Sequence, residues 1–524
     1  MLNFKKKNMK RTLINSIKPI LAMVLLTAVS FSCTDLEIDE TDSVFEDAQE
    51  SFNGVDVPTE LGGLYGSTYG MLGDQANFFA LNEVATDETL VPTRGTDWGD
   101  NGIWRTLHAH TWSPTHSFIL TTWNQLNGHV FRASQIIDER SNPSAEEKGE
   151  AQFLRAFNMY FVLDLWGQAP FRPVDAGVNV DPSVFSAAEA YAFIVEDLTA
   201  AIGTLPARGP SDDNNRATKA AARFLLAKVV LNSERYTGTQ GNMQTVIDLV
   251  DAITADGYAL QGGYFDLFKP DVDTETVWYA QAGVGNRIWN GMHYNQNSPD
   301  NEGGGWNGFT TLAEFYDSFE GPANTNGLGD GQEERRGWVP DATNANASNL
   351  GIGYGMLVGQ QYEEDGSILN DRPGNPLVFT RELPGLSGNG EATGIRIIKY
   401  HPSPDDGGSF RSHEIVFRYA DAHLMKAEAM MRSGGNATTM VNELRTLRLA
   451  TPLGNVTEAD MLAERGRELY VEFWRRNDML RFGQFTRDWE FKDPGAVGET
   501  FRNLYPIPIN ALLSNPNLVQ NEGY

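Results

Sequence analysis

Cysteine is almost absent from this sequence: Cys33 is the only one in 524 residues. A single thiol cannot form an intramolecular disulfide bond or a cysteine-based metal cluster. Long apolar runs are scarce as well. Residues 20–29 form one, but it is too short to span a bilayer comfortably, and no other run reaches the length of a transmembrane helix. The bulk of the chain is therefore expected to fold around an ordinary hydrophobic core.

Basic residues are in deficit, with 41 Lys and Arg against 69 Asp and Glu and a formal net charge of -28. This balance excludes nucleic acid as a partner, because the phosphate backbone would be repelled. It also argues against polyanionic glycans such as alginate, which would approach against a repelling field. A hydrophobic content of 41%, with 52 Gly and 24 Pro, indicates a globular but loop-rich protein.

The N-terminus has the pattern of a lipoprotein signal peptide. Six Lys or Arg and no acidic residue lie within residues 1–32, and the apolar run 20–29 is followed by small residues directly before Cys33. We therefore expect a signal peptide over 1–32, acylation of the Cys33 sulfur and a flexible tether over 33–50. Removing six positive charges from -28 leaves -34 for the mature chain. The alternative is an ordinary signal peptide with an incidental cysteine.

Helical periodicity dominates the rest of the chain and predicts a mainly α fold. The segment 418–483 is interpreted as three consecutive helices, the third beginning at an N-cap, Thr457, and continuing past Leu480. Capping-box patterns at Ser144 and Ser186 open two further helices. Paired helices of this kind resemble tetratricopeptide repeats, although no strict 34-residue period is visible. Further helices are predicted over 61–72, 117–140, 217–234 and 244–254.

Arginines are dense in the last predicted helix. Such a set is a candidate anion site, but pairing with Glu and Asp three or four positions away on the same helix face explains it with fewer assumptions. We therefore predict a structural role for this group, which consists of Arg465, Arg467, Arg475, Arg476 and Arg481.

Three segments in order resemble the SusD/RagB family, the surface glycan-binding lipoproteins of Bacteroidota. They are AQFLRAFNMYFVLDLWGQAPF (151–171), RYADAHLMKAEAMMR with VNELRTLR and MLAERGRELYVEFWRRNDMLRFG (418–483), and LYPIPINALLSNPNLVQNEGY (504–524). The resemblance implies a tetratricopeptide-like helical repeat body with an inserted, irregular, loop-rich lobe. It also implies an outer-membrane, lipid-anchored, surface-exposed protein that works with a SusC-like TonB-dependent transporter. On this basis the helical parts are placed at 51–263 and 414–524, and the lobe at 264–413.

A first candidate binding loop covers residues 93–102, which are rich in turn-forming residues. Trp98 in this loop stands near Arg94, Asp97 and Asn101. An indole ring can cover the apolar C–H face of a pyranose while short polar side chains bind its hydroxyls. The alternative is that Trp98 caps the core beneath its own loop.

A second candidate segment, residues 286–309, offers Trp289, Tyr294 and Trp306 among several Asn and Gln residues. Uncharged amides and aromatic rings suit a neutral sugar. The alternative is a loop whose aromatic side chains pin it to the core. In the resembling family an arc of aromatic residues from two loops holds the oligosaccharide, which implies that these two segments form one site.

Metal sites are not expected. His108 and His110 are spaced like ligands on one face of a strand, but no acidic residue accompanies them in the same turn. A second group does not match the spacing of a known calcium loop. Its members are Asp317, Asp330, Glu333 and Glu334. No cofactor is predicted.

The function favoured by these patterns is non-catalytic binding of a neutral glucan, either starch-like or laminarin-like. A helical glycoside hydrolase or lyase is an alternative, although Asp97 and Asp100 are too close in sequence to form a convincing opposed pair. Another alternative keeps the fold and changes the cargo to a peptide, as in RagB-like proteins, for which charge complementarity rather than uncharged aromatic clusters is expected.

Overall fold

The computed structural model describes residues 52–524 except 178, 270–272, 283–284, 297–303, 348 and 401–412. The predicted signal peptide, Cys33 and the tether lie outside the described residues. Helices dominate the described part, as predicted. Its sixteen α-helices are α1 (Val57–Gly73), α2 (Asn77–Asn82), α3 (Ile103–His108), α4 (Ser117–Ile137), α5 (Ala145–Trp166), α6 (Ala187–Thr204), α7 (Lys219–Leu231), α8 (Ser233–Thr237), α9 (Met243–Ala255), α10 (Gly285–Gly291), α11 (Ala313–Tyr316), α12 (Tyr419–Arg432), α13 (Thr438–Leu447), α14 (Glu458–Leu469), α15 (Arg475–Arg481) and α16 (Ile509–Ser514).

The strands of the described residues are short and mostly belong to the predicted lobe. They form three antiparallel pairs, β1–β2, β3–β9 and β6–β7, and one three-stranded sheet in the order β4–β5–β8. Their bounds are β1 (Ala169–Phe171), β2 (Ser183–Phe185), β3 (Thr276–Ala280), β4 (Gly337–Trp338), β5 (Tyr354–Leu357), β6 (Gly359–Gln360), β7 (Val378–Phe379), β8 (Arg396–Ile398) and β9 (Glu414–Arg418).

The long helices begin and end where local signals place them. Ser144 and Ser186 each cap a helix reciprocally with the glutamate three residues later, so α5 and α6 start as predicted. Gly167 ends α5 in the left-handed conformation, with φ 71°. Helices α4, α5 and α6 then pack in succession, and α9 packs against both α7 and α12. This is the predicted helical repeat body.

The prediction of a single continuous third helix in 418–483 is wrong. It is interrupted between α14 and α15, where Val471 and Phe473 adopt left-handed backbone angles of 53° and 74°. The N–H of Val471 donates to the side-chain oxygen Oε1 of Glu88 instead of continuing the helix. Glu472 accepts a hydrogen bond from Nε of Arg418 at 2.7 Å. These buried polar contacts outweigh the helix hydrogen bonds that the break removes.

The arginines of this region are structural, but the predicted helix-face pairing accounts for few of them. Most pair with acids far away in sequence: Arg475 with Asp87 at 2.7 Å, and Arg476 with Asp164 at 2.7 Å. All four of these side chains are buried. Because a buried charge is costly unless paired, separating either pair would destabilise the packing of α15 against its neighbours.

A larger buried cluster, here called the Glu468 network, joins the lobe to the C-terminal helices. The Glu468 carboxylate is bound by Arg418 at 2.7 Å, by Arg448 at 2.9 Å and by Arg335 at 3.3 Å. All of its side chains are almost fully buried. The network consists of Arg335, Arg418, Arg448, Glu275, Glu464, Glu468 and Glu472.

His108 and His110 do not lie on one face of a strand, as their spacing suggested. His108 ends α3, and His110 follows in a left-handed turn with φ 59°. Their Nε2 atoms lie 2.9 Å from the carbonyl oxygen of Glu490 and 2.8 Å from that of Ala85.

The acidic residues weighed for calcium are instead engaged within the chain. Asp317 pairs with Arg381, and Glu333 pairs with Arg335 at 2.9 Å. Across the described ranges, no three His, Cys, Asp or Glu residues are grouped closely enough to hold a metal ion. Nor do these ranges contain a helix long and apolar enough to cross a membrane.

Candidate binding site

The two candidate loops meet in space although their contacting residues lie about 200 positions apart in sequence. The indole Nε1 of Trp98 donates to the carbonyl of Trp306 at 2.8 Å, and the hydroxyl of Tyr294 donates to Oδ2 of Asp97 at 2.6 Å. Beneath them, a strand-like bridge joins Leu90 to Thr310. The structure therefore gathers these side chains into one patch of surface.

Trp98 both caps the core beneath its loop and remains partly exposed, so the two roles that the sequence leaves open are combined in one side chain. Its backbone is left-handed, with φ 58°, and its ring is only half-buried. The ring packs edge-on against Trp104, with 5.8 Å between the ring centroids. Gly308 lies under it, since a Cβ there would approach Trp98 Cζ2 to 2.7 Å. Trp98 is thus anchored to the core while part of it faces solvent.

Trp306 and Asn101 are both exposed to solvent. Trp306 is 38% exposed, which is unusual for a side chain of this size. Asn101 is exposed in a left-handed turn with φ 51°. A large apolar ring left in water beside polar side chains is the arrangement expected of a binding surface.

Two residues in the predicted set do not reach this surface. Trp289 is 2% exposed and belongs to the hydrophobic core, so its ring cannot lie against a ligand. Arg94 is 3% exposed, and its Nε donates to the carbonyl of Asn307 at 2.9 Å. Burial lowers the pKa of Arg94 to about 9. Arg94 thus supports the second loop from below, and Trp289 is removed from the candidate ligand contacts.

A second buried guanidinium, that of Arg396 in β8, also supports the second loop at Asn307. Its Nε donates to the side-chain carbonyl of Asn307 at 2.7 Å, so Asn307 is held by both arginines. Burial and the nearby charge of Arg94 lower the pKa of Arg396 well below its usual range. Asn307 has a left-handed φ of 55°, and fixing it fixes the turn that presents Trp306.

Arg372 is the main residue of the site that the sequence reasoning missed. It lies at the tip of a hairpin, 368–378, which is closed by a bridge between Asn370 and Pro376. Its guanidinium carbon lies 3.7 Å from the centre of the Tyr294 ring. Its Nη2 donates to Oδ2 of Asp97 at 3.3 Å, and its Nε donates to Glu391. The turn residues around Arg372 predict exposure, but they do not predict these partners.

The electrostatics of the site leave His293 and Tyr294 uncharged near neutral pH. Burial, together with Arg396, Arg372 and Arg94, lowers the pKa of His293 to about 3. Burial and the neighbouring Asp97 raise the pKa of Tyr294 above its usual value, so its hydroxyl stays protonated and donates. The surface therefore presents aromatic rings, amides and a phenol, with one guanidinium between two carboxylates.

Two sequence-family models match the chain over most of its length. The model of the SusD family matches residues 274–524, and one described as "Starch-binding associating with outer membrane" matches residues 44–231. The chain belongs to the SusD family. The resemblance noted in the sequence is thereby confirmed.

Individual relatives agree with this assignment to the SusD family. The starch-binding protein SusD of Bacteroides thetaiotaomicron is 28% identical over 507 residues, which cover 88% of each chain. The surface glycan-binding protein A of Bacteroides uniformis has the same fold, with a TM-score of 0.67 at 18% identity over 89% of this chain and 98% of that one. A laminarin-binding SusD-like protein gives a TM-score of 0.61 at 20% identity, covering 90% of this chain and 100% of that one.

Proposed function

We propose that this SusD-family protein is a non-catalytic receptor for a neutral oligosaccharide or polysaccharide, starch-like or laminarin-like. The observation that carries the proposal is the contact of Trp98 with Trp306 and of Tyr294 with Asp97, with Asn101 exposed in the same loop as Trp98. Exposed rings supply a surface for the apolar face of a pyranose, and the polar side chains supply donors and acceptors for its hydroxyls. The two named relatives that bind starch and laminarin support the same class of ligand.

The size of the site suits capture and release. Each stacked ring contributes on the order of 1 kcal/mol beyond the area that it buries, so two or three rings give weak affinity at a single site. Weak binding suits a receptor that passes its ligand on. We therefore propose that the bound glycan is delivered to a SusC-like TonB-dependent transporter in the outer membrane.

The proposed location rests on the N-terminal pattern before Cys33, which lies outside the described residues. Acylation of this cysteine would anchor the protein to the outer membrane and expose it on the cell surface. Labelling cells with a radioactive fatty acid tests this point. The label is expected on the wild-type protein and not on Cys33→Ser, and equal labelling of both would exclude the anchor.

Calorimetry of the detergent-solubilised protein tests the binding function. The ligands are maltooligosaccharides, laminarin oligosaccharides and alginate oligomers, with unrelated peptides as a fourth arm. We expect saturable heat with a neutral glucan and an unchanged ligand when each mixture is analysed by chromatography. Shorter products would favour the hydrolase or lyase alternative, and heat with peptides alone would favour a RagB-like function.

A further inference from the structure

Arg372 and Asp97 place a free donor beside a free acceptor at the surface of the site. Nη2 of Arg372 already donates a hydrogen bond to Oδ2 of Asp97 at 3.3 Å. Within the part of the chain that the structure describes, Nη1 of Arg372 and Oδ1 of Asp97 have no hydrogen-bond partner. The side chains are 50% and 40% exposed, so a ligand can reach both.

Both side chains are held in place before any ligand arrives. Arg372 stacks on the Tyr294 ring at 3.7 Å, and its backbone N–H donates to Oε2 of Glu391 at 3.1 Å, next to the Nε contact with the same carboxylate. The hydroxyl of Tyr294 donates to the same Oδ2 of Asp97 at 2.6 Å. A pair ordered in this way loses little conformational entropy on binding.

A donor and an acceptor side by side match two adjacent sugar hydroxyls. One hydroxyl donates a hydrogen bond to the carboxylate oxygen, and the neighbouring hydroxyl accepts one from the guanidinium N–H. Both are charge-assisted hydrogen bonds. We propose that Arg372 and Asp97 form a clamp for a vicinal diol, and that this clamp selects the linkage of the glycan. The inference rests on the proposed function and makes it more specific.

The linkage decides whether a sugar unit inside a chain still carries such a diol. A 1,4-linked glucan leaves the neighbouring hydroxyls on C2 and C3 free in every internal unit. A 1,3-linked glucan uses the oxygen on C3, so the free hydroxyls on C2 and C4 are no longer adjacent. The clamp therefore favours 1,4-linked over 1,3-linked glucans, and of the two proposed ligand types it favours the starch-like one.

Calorimetry of the full chain in detergent, with maltohexaose and laminarihexaose, tests the clamp. We expect the wild type to bind maltohexaose more tightly than laminarihexaose. The Arg372→Ala variant should bind maltohexaose about tenfold more weakly than the wild type, the usual effect of deleting a charge-assisted hydrogen bond. Weak binding of laminarihexaose should change less than twofold. Arg381→Ala is the matched control, because Arg381 is an arginine of the same lobe that pairs with Asp317 and Glu382.

A change in the ligand separates direct contact from a disturbed loop. Maltohexaose methylated on its C2 and C3 oxygens should bind the wild type about tenfold more weakly, and Arg372→Ala should then cause no further loss. Equal losses on both hexaoses, or no loss with Arg372→Ala, would overturn the clamp and leave the receptor function intact. Absence of heat with either glucan on the wild-type protein would overturn both proposals together.

Discussion

Replacing Glu468 with glutamine is expected to destabilise the protein far more than breaking an ion pair at its surface. Glu468 is fully buried and binds Arg418, Arg448 and Arg335. Despite the opposing effect of burial, these charges lower the pKa of Glu468 far below its usual range, so the carboxylate is ionised in the folded protein. Glutamine keeps the shape of the side chain but leaves three buried guanidinium groups with one negative charge fewer.

The magnitude follows from this burial. Removing one partner of a buried ion pair costs about 3–5 kcal/mol, because the other charge stays in the interior without compensation. Arg132 and Glu60 form a comparison pair with side chains 34% and 37% exposed. Such a surface pair contributes about 0–1 kcal/mol. Glu468→Gln and Glu60→Gln should therefore differ by at least about 2 kcal/mol in the free energy of unfolding that each one removes.

Urea unfolding, followed by circular dichroism, compares the wild type with Glu468→Gln and Glu60→Gln. We expect a large drop in the transition midpoint for the first variant and almost none for the second. The double variant Glu468→Gln with Arg448→Gln should lose less than the sum of its single changes, because the second substitution removes a charge that the first left unpaired. A loss for Glu468→Gln no greater than that for Glu60→Gln would refute this reasoning.

Three further predictions concern the site and its support. Gly308→Ala should weaken glucan binding several-fold in calorimetry and also lower the stability on heating, because its Cβ would collide with the buried Asn290 side chain and with the Trp98 ring; unchanged affinity would contradict this. Trp306→Ala should lower the affinity about fivefold to tenfold, since the exposed ring is worth on the order of 1 kcal/mol, whereas Leu328→Ala, which removes another exposed apolar side chain of the lobe, should not. Burial raises the pKa of Glu88 to about 8, from near 4.5 in the unfolded chain. Between these values the folded state holds the extra proton, so stability should fall as the pH rises, by about 1.4 kcal/mol per unit at most. Glu88→Gln should flatten that dependence in urea titrations at pH 5 to 8, and an unchanged slope would show that another group is responsible.

Helices with local signals are the part of this fold that the sequence predicts well. The capping boxes at Ser144 and Ser186 and the terminal Gly167 act within four residues, so a short window contains the whole cause. The break between α14 and α15 has a distant cause. Leu469 and Leu480 are buried on both sides of it, and the apolar pattern runs through unchanged. The interruption depends on Glu88, almost 400 residues away.

The candidate site shows the same limit. The turn residues of 93–102 correctly predict that Trp98 lies on a loop, and Tyr294 and Trp306 of the amide-rich segment contact that loop. Whether an aromatic residue faces water or the core depends on neighbours that are distant in sequence. The sequence pattern therefore cannot distinguish the buried Trp289 from the exposed Trp306. Arg372 joins the site through Asp97, 275 positions earlier in the chain, and no local pattern records such a contact.

The Glu468 network also determines how this protein can be re-engineered. Arg335 and Glu275 come from the predicted lobe, while Arg418, Arg448 and Glu468 come from the C-terminal segment. A chimera whose new lobe lacked counterparts of Arg335 and Glu275 would leave charges of the C-terminal segment unpaired in the interior. New glycan specificities are therefore better sought by exchanging only the loops 93–102 and 368–378, which carry Asp97, Trp98 and Arg372 and leave the shared interior charges in place.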